Sequence, residues 1–147
     1  MDQLMCKLLR EGAVLPRRAT DGSAGYDLHA CIENPLIIPA RGRVSIPTGI
    51  AIALPSPNVA AFIFGRSGLG IKHGICPSNA VAVIDSDYRG ELIVGLSNHC
   101  NEDYIIQPGE RIAQMLILPI FTPKLVECSE LPETTRGIGG FGSTGKL

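Results

Sequence analysis

The segment Arg136–Gly145 reads RGIGGFGSTG and combines one guanidinium, one aromatic ring, two hydroxyls and five glycines in ten positions. A guanidinium matches phosphate oxygens two at a time, and glycine-rich backbone offers free N–H groups to an anion. An aromatic face can cover a base. Arg136, Phe141, Gly142, Ser143 and Thr144 are therefore candidate ligands for a nucleoside triphosphate. Two familiar glycine patterns also match here, G-x-G-x-x-G at Gly137, Gly139 and Gly142, and a near P-loop from Gly140 to Lys146. Both patterns work by presenting phosphate to the N-terminus of a following helix. The sequence gives no such helix, and Leu147 stands where a P-loop has Ser or Thr, so neither mechanism is expected. Composition by itself reads the segment as a flexible terminal arm, because glycine loses the most backbone entropy on ordering.

Four further stretches carry chemistry-bearing side chains. Gly65-Arg66-Ser67-Gly68-Leu69 places a cation, a hydroxyl and a glycine N–H in one turn, which suits an anion but also suits an ordinary turn. Val83-Ile84-Asp85-Ser86-Asp87-Tyr88-Arg89-Gly90 sets two carboxylates at the end of an apolar run. Asp85 there is expected to be partly buried and poised as a general base, with Tyr88 as a flat apolar wall. The plain alternatives are a solvated turn, or carboxylates paired with Arg89 as a surface ion pair. Ser23-Ala24-Gly25-Tyr26-Asp27-Leu28 puts a carboxylate on a strand after a small-residue turn. Pro108–Met115, PGERIAQM, enters a long apolar strand bearing one amide, Gln114, which needs a hydrogen-bonding partner.

These residues must be held by short strands. The 147 residues include 17 Gly and 11 Pro, and 45% are hydrophobic, enough for one core. Between the breaks lie Val44–Ile46, Ile50–Leu54, Ala60–Phe64, Val81–Ile84, Leu92–Ser97 and Ile112–Ile120, a pattern that predicts an all-β sandwich, barrel or jelly roll. One short helix is expected over Ser67–His73. Formal net charge is −1 with seven aromatics and no basic run, which argues against a polynucleotide surface but not against a small anion. Five cysteines at long spacings without C-x-x-C argue against a disulfide framework, and adjacent His99 and Cys100 would point to opposite faces of a strand, against a shared metal. The opening MDQLMCKLLREG lacks a signal-peptide apolar region, and no apolar run is long enough to span a bilayer, so a soluble, cytoplasmic protein is expected.

Taken in order, five stretches resemble the trimeric dUTP pyrophosphatase (dUTPase) family: AGYDL (24–28), GRSGLG (65–70), NAVAVIDSDYRG (79–90), PGERIAQM (108–115) and RGIGGFGSTG (136–145). The resemblance covers nearly the whole chain. It implies a distorted jelly-roll β-barrel over residues 1–135 with a glycine-rich lid over 136–147, assembled as a homotrimer whose three active sites each draw on all three chains. It implies Mg2+-assisted hydrolysis of dUTP to dUMP and pyrophosphate, which keeps uracil out of DNA and supplies dUMP for dTMP synthesis. By position, Asp85 is implied to orient and deprotonate the attacking water. Asn79 and the hairpin backbone through Val83 and Ile84 would read the uracil edge, and Tyr88 would pack on the deoxyribose, leaving no room for a 2′-OH. Arg66, Ser67, Gly68 and Gln114 would hold phosphate oxygens, while Asp27 would lie near the metal through water. Arg136, Ser143 and Thr144 would clasp the phosphates, with Phe141 over the uracil.

Physical chemistry fits these roles. In-line attack on a triphosphate needs its charge neutralised and the water aligned. Mg2+ takes hard oxygen ligands, often from substrate phosphates, which suits a sequence without a dense acidic cage. One departure stands out: the family usually has glycine where this chain has Ala82. A positive φ there, or a close approach of substrate, would make the methyl group a hindrance. The alternatives weighed are a dCTP deaminase of the same fold, a dUTP-sensing regulatory protein, and a purely structural jelly roll. The intact RGIGGFGSTG and Asp85–Tyr88 stretches favour hydrolysis of dUTP over all three.

Overall fold

The computed structural model describes residues 3–140. Twelve elements follow one another: β1 (Met5–Leu8), β2 (Tyr26–His29), β3 (Leu36–Ile38), β4 (Arg43–Pro47), β5 (Ile50–Ala53), β6 (Val59–Phe64), α1 (Ser67–His73), β7 (Ile75–Pro77), β8 (Ala82–Ile84), β9 (Ile93–Asn98), β10 (Tyr104–Ile106) and β11 (Arg111–Pro119). They form four antiparallel sheets with strand orders β1-β5, β10-β3, β2-β11-β6-β8 and β4-β9-β7. The all-β expectation with one short helix holds, and the helix has the bounds expected from the sequence. All five cysteines are free. Among the described residues no helix is long and apolar enough to cross a membrane.

Alternation along the strands builds one core. Leu28, Ile38, Ile46, Ile63, Leu96, Ile106 and Met115 are buried from seven different strands and belong to a single apolar cluster. At roughly 25 cal/mol per Å2 of apolar surface removed from water, such side chains each contribute about 1.5–3 kcal/mol. The two buried polar side chains are satisfied internally. Thr48 Oγ1 donates to the Leu92 carbonyl, and Asn98 Nδ2 donates to the carbonyls of Ile38 and Glu102 while its Oδ1 accepts from the Cys100 N–H.

The long strand β11 organises the site end of the molecule. Its ladder with β2 shifts register between Arg111 and Ala113, a bulge that buries Ile112 and Ala113 in succession and turns Gln114 towards the side. Beyond the bulge, Gln114 lies opposite Asp27 on β2 and opposite Phe64 on β6. The chain leaves β6 at Gly65 and enters α1 with Arg66 as the N-terminal cap. Helix α1 is anchored by buried Leu69 and stops at Gly74, whose φ of 62° is the left-handed conformation that ends helices. A side chain at Gly74 would also meet Cys100 Sγ at 2.6 Å, so glycine is required there on two grounds.

Candidate active site

The β2-β11-β6 register brings three of the sequence stretches into one place. Arg66 Nε donates to Asp27 Oδ1 at 3.0 Å, and an Arg111 N–H donates to Asp27 Oδ2 at 3.2 Å. Arg66 reaches on to the Arg111 carbonyl at 3.2 Å. The Asp27 side chain retains 15% exposure, Arg66 26% and Arg111 49%, so the tighter, drier half of this triad is Asp27–Arg66. Gln114 Nε2 finds its partner in the Gly65 carbonyl at 2.9 Å. A Cβ on Gly25 would come within 2.9 Å of Gln114 Oε1, which explains the small residue at that turn. Ser23, Gly25, Asp27, Arg66, Ser67 and Gln114 line a polar cavity of about 270 Å3. Ser67 at its rim is exposed, as is the next residue, Gly68.

A larger cleft of about 520 Å3 opens on the other side of the same guanidinium groups, between α1 and the β10–β11 turn, and shares Arg66 and Arg111 with the polar cavity. Two titratable groups on its wall are displaced. Burial lowers the pKa of His29 from its usual value, and although the Asp27 carboxylate works the other way, Arg111 and Arg66 add to the lowering. His29 Nδ1 is buried without a hydrogen-bonding partner. Burial, reinforced by a hydrogen bond to Glu110 and its charge, pushes the Tyr104 phenol up to about 12.

The second group of candidates lies on and around the segment that links β7 to β8, strands of two different sheets. Asn79, Ser78, Ala82, Ile93, Gly95 and Arg43 line a cavity of about 290 Å3. The link turns tightly: the Val81 N–H donates to the Asn79 carbonyl at 2.7 Å across Ala80, whose φ is 60°. Ala82, the departure noted in the sequence, is extended within β8 and has no positive φ, so its backbone is unstrained. Ala82 does line the cavity. Val83 is exposed and Ile84 half-buried, as suits the edge strand of the sheet.

Asp85 differs from the sequence expectation. It is exposed, not partly buried, because among the described residues β8 pairs only with β6 and lies at the sheet edge. Asp87 and Arg89 form no ion pair; Arg89 donates instead to the carbonyls of Ser86 and Tyr88. Tyr88 lies across Gly90, where any Cβ would overlap its ring, and its hydroxyl donates to the Glu91 carbonyl at 3.1 Å.

Register also separates the two groups. Asp85 follows Ile84, which pairs with Ala61 midway along β6, whereas Arg66 lies two residues beyond Phe64 at its end. Arg136 is exposed, and Phe141, Gly142, Ser143 and Thr144 lie outside the described residues.

Comparison with known proteins decides the family. A dUTPase family model matches residues 11–145, nearly all of the chain and all five motif stretches. The chain belongs to the dUTPase family. It is 50% identical over 131 residues to the deoxyuridine 5′-triphosphate nucleotidohydrolase of Desulfitobacterium hafniense, covering 89% of this chain and 87% of that protein. It is 52% identical over 132 residues to the enzyme of the same name from Hydrogenovibrio crunogenus, covering 89% and 86%. Among solved structures it is similar to the dUTPase of Staphylococcus bacteriophage 80alpha, a G164S mutant with dUpNHpp, at a TM-score of 0.89 and 26% identity, covering 99% of each chain. Within this family fold, the sequence motifs had singled out Asp27, Arg66, Gln114 and Asp85. They had given no role to Arg111 or Glu91. Arg111 could have been found from its own stretch, since a carboxylate on β2 facing a neighbouring strand needs a second cation.

Proposed function

We propose that this dUTPase hydrolyses dUTP to dUMP and pyrophosphate as a soluble, cytoplasmic homotrimer. The observation that carries the reading is the polar cavity in which Asp27, Arg66, Ser67 and Gln114 converge from β2, the β6–α1 turn and β11. Its donors suit the phosphate oxygens: a guanidinium, a hydroxyl and an amide, with the Gly68 N–H next to them in the β6–α1 turn. The cavity beside Asn79 and Ala82 takes the uracil, where polar groups left unpaired would penalise a wrong base.

In the reaction, an oxygen of water bonds to the α-phosphorus while the bond to the bridging oxygen of the β-phosphate breaks. Pyrophosphate leaves, and the water's proton passes to the Asp85 carboxylate. An exposed carboxylate needs placement for this work more than activation. Among the described residues no three acidic, His or Cys side chains cluster as metal ligands, and both Asp27 oxygens already accept from arginines. That donor set fits an Mg2+ ion held by substrate phosphates and waters, with Asp27 engaged through water. The ion would neutralise phosphate charge.

Asp85 lies past the end of the β6–β8 pairing that is remote from Arg66, an arrangement that supports a site completed by other copies of the chain. Phe121, Leu125 and Leu131 follow β11 with 82–98% of their surface exposed, which supports contact with a neighbouring copy. Arg136–Leu147 closes over the nucleotide as a lid, with Arg136, Ser143 and Thr144 on the phosphates and Phe141 on the base. Pyrophosphate release from dUTP, dTTP, dCTP and UTP, with and without Mg2+, tests the reading. Strong preference for dUTP with Mg2+ is expected; equal rates for dUTP and dTTP, or ammonia released from dCTP, would overturn it.

A further inference from the structure

Glu91 sits one residue past the glycine on which Tyr88 rests, and it is tied at three points. Its carbonyl accepts the Tyr88 hydroxyl. Its Oε1 accepts the Gly49 N–H at 2.8 Å, and its Oε2 pairs with Arg10. The side chain is only 17% exposed, against 44% for Arg10. Gly49 is itself fixed, with φ of 70° and Ala13 Cβ and Cys31 Sγ both 2.7 Å from where a Cβ would stand. The N–H that grips Glu91 therefore belongs to a turn that no other residue can form without rearrangement. The neighbouring Leu92 is held by backbone bonds to Ile50 and Thr48, so the Glu91 carboxylate is the last anchor before the chain turns out to Gly90 and Tyr88.

We infer that Glu91 is a positioning residue for Tyr88 and, through it, a determinant of discrimination between deoxyribose and ribose. The inference rests on the proposed packing of Tyr88 against the sugar. The carboxylate clamps the backbone at 91 between the β4–β5 turn and Arg10, and this fixes the carbonyl that receives the Tyr88 hydroxyl. With that carbonyl fixed and Gly90 beneath the ring, the ring keeps one orientation. Releasing the clamp lets the ring tilt and admits a 2′-hydroxyl. A hydrogen bond to a charged, mostly buried acceptor is strong enough to hold such an orientation.

The test is steady-state kcat/KM for dUTP and UTP in the full-length protein with Mg2+, comparing wild type with Glu91→Ala, Glu91→Gln, Arg10→Leu, Tyr88→Phe and Tyr88→Ala. Glu91→Ala is expected to reduce the dUTP-to-UTP preference about tenfold, mainly through the two KM values. Glu91→Gln keeps an acceptor for the Gly49 N–H and should lose less. Arg10→Leu leaves Glu91 in place and keeps the question open to measurement if Glu91→Ala fails to fold. It should lower the preference in the same direction, as should Tyr88→Phe. A purely structural role would lower kcat for both nucleotides alike and leave the ratio untouched, which overturns the inference. If Tyr88→Ala loses the preference while the Glu91 and Arg10 variants keep it, the inference alone falls. Retention of the preference by Tyr88→Ala overturns both the inference and the reading of Tyr88.

Discussion

Asp85 and Arg66 stand at opposite ends of the same strand pairing. Ile84, just before Asp85, pairs with Ala61, and Arg66 lies two residues beyond the other end of β6. On the proposed function, in which Asp85 is the base and Arg66 a phosphate clamp, another copy of the chain brings the two together. The chain would then contribute two half-sites: Asp27–Arg66–Gln114 at one end, and the β8 edge that terminates in Asp85 at the other.

The first half-site depends on Asp27. Asp27→Asn removes the charge that both arginines share, and with the carboxylate only 15% exposed a loss of about 1–3 kcal/mol is expected. Arg111→Gln removes a half-exposed partner and should cost only about 0–1 kcal/mol. Denaturant unfolding of the two variants checks the order. In activity assays Asp27→Asn should also raise the Mg2+ concentration needed for half-maximal rate.

Two alanines around the β7–β8 link should respond oppositely to glycine. Ala80 holds φ of 60°, so Ala80→Gly relieves left-handed strain and should stabilise the protein by about 1 kcal/mol. Ala82 is extended, so Ala82→Gly relieves nothing and should destabilise by about 0.5–1 kcal/mol through added chain entropy. Its benefit should appear in binding: the methyl of a residue that lines the cavity beside Asn79 is gone, and KM for dUTP should fall. Thermal melting and KM, measured on both variants, separate strain from obstruction.

His29 gives stability a pH dependence. Burial depresses its folded pKa below the ordinary 6.5, so the unfolded chain binds the proton more readily. Its contribution is complete above pH 6.5 and is lost as pH falls from there through the folded pKa. His29→Gln should flatten this part of the melting profile. An imidazole resonance of wild type that titrates at or above 6.5 would contradict the assignment.

The glycine-rich segment should matter for turnover and little for folding. Deleting Arg136–Leu147 is expected to leave the melting temperature close to wild type, since the core cluster lies entirely before it. Turnover of dUTP should collapse, as the lid role proposed for this segment requires. Full activity in the truncated chain would remove the lid from the account.

Much of the fold was legible because strands of the central sheets bury apolar runs. The runs at 44–46, 50–54, 60–64, 81–84, 92–97 and 112–120 all fall on observed strands. The strands that carried no signal are three or four residues long, such as Leu36–Ile38 and Tyr104–Ile106, or lie mostly exposed, such as Met5–Leu8. Too few residues alternate there to show a period. In the site, Gln114 needed a partner and has one, and Asp27 faces it across the ladder. Burial of Asp85 was misjudged because an apolar run does not reveal that its strand lies at a sheet edge. Arg111 and Glu91 escaped notice because their partners are 84 and 42 residues away in sequence, a proximity only the folded register creates.

The central claim is that one chain's Asp85 acts on phosphates held by another chain's Arg66. Asp85→Asn and Arg66→Ala chains, each inactive alone, can be mixed in equal amounts, unfolded, refolded together and assayed for pyrophosphate release from dUTP. Random mixing should restore about a quarter of wild-type turnover, the share of sites that draw an intact Asp85 and an intact Arg66 from different chains. A mixture as inactive as its components would place both residues in the same subunit's site and contradict the account.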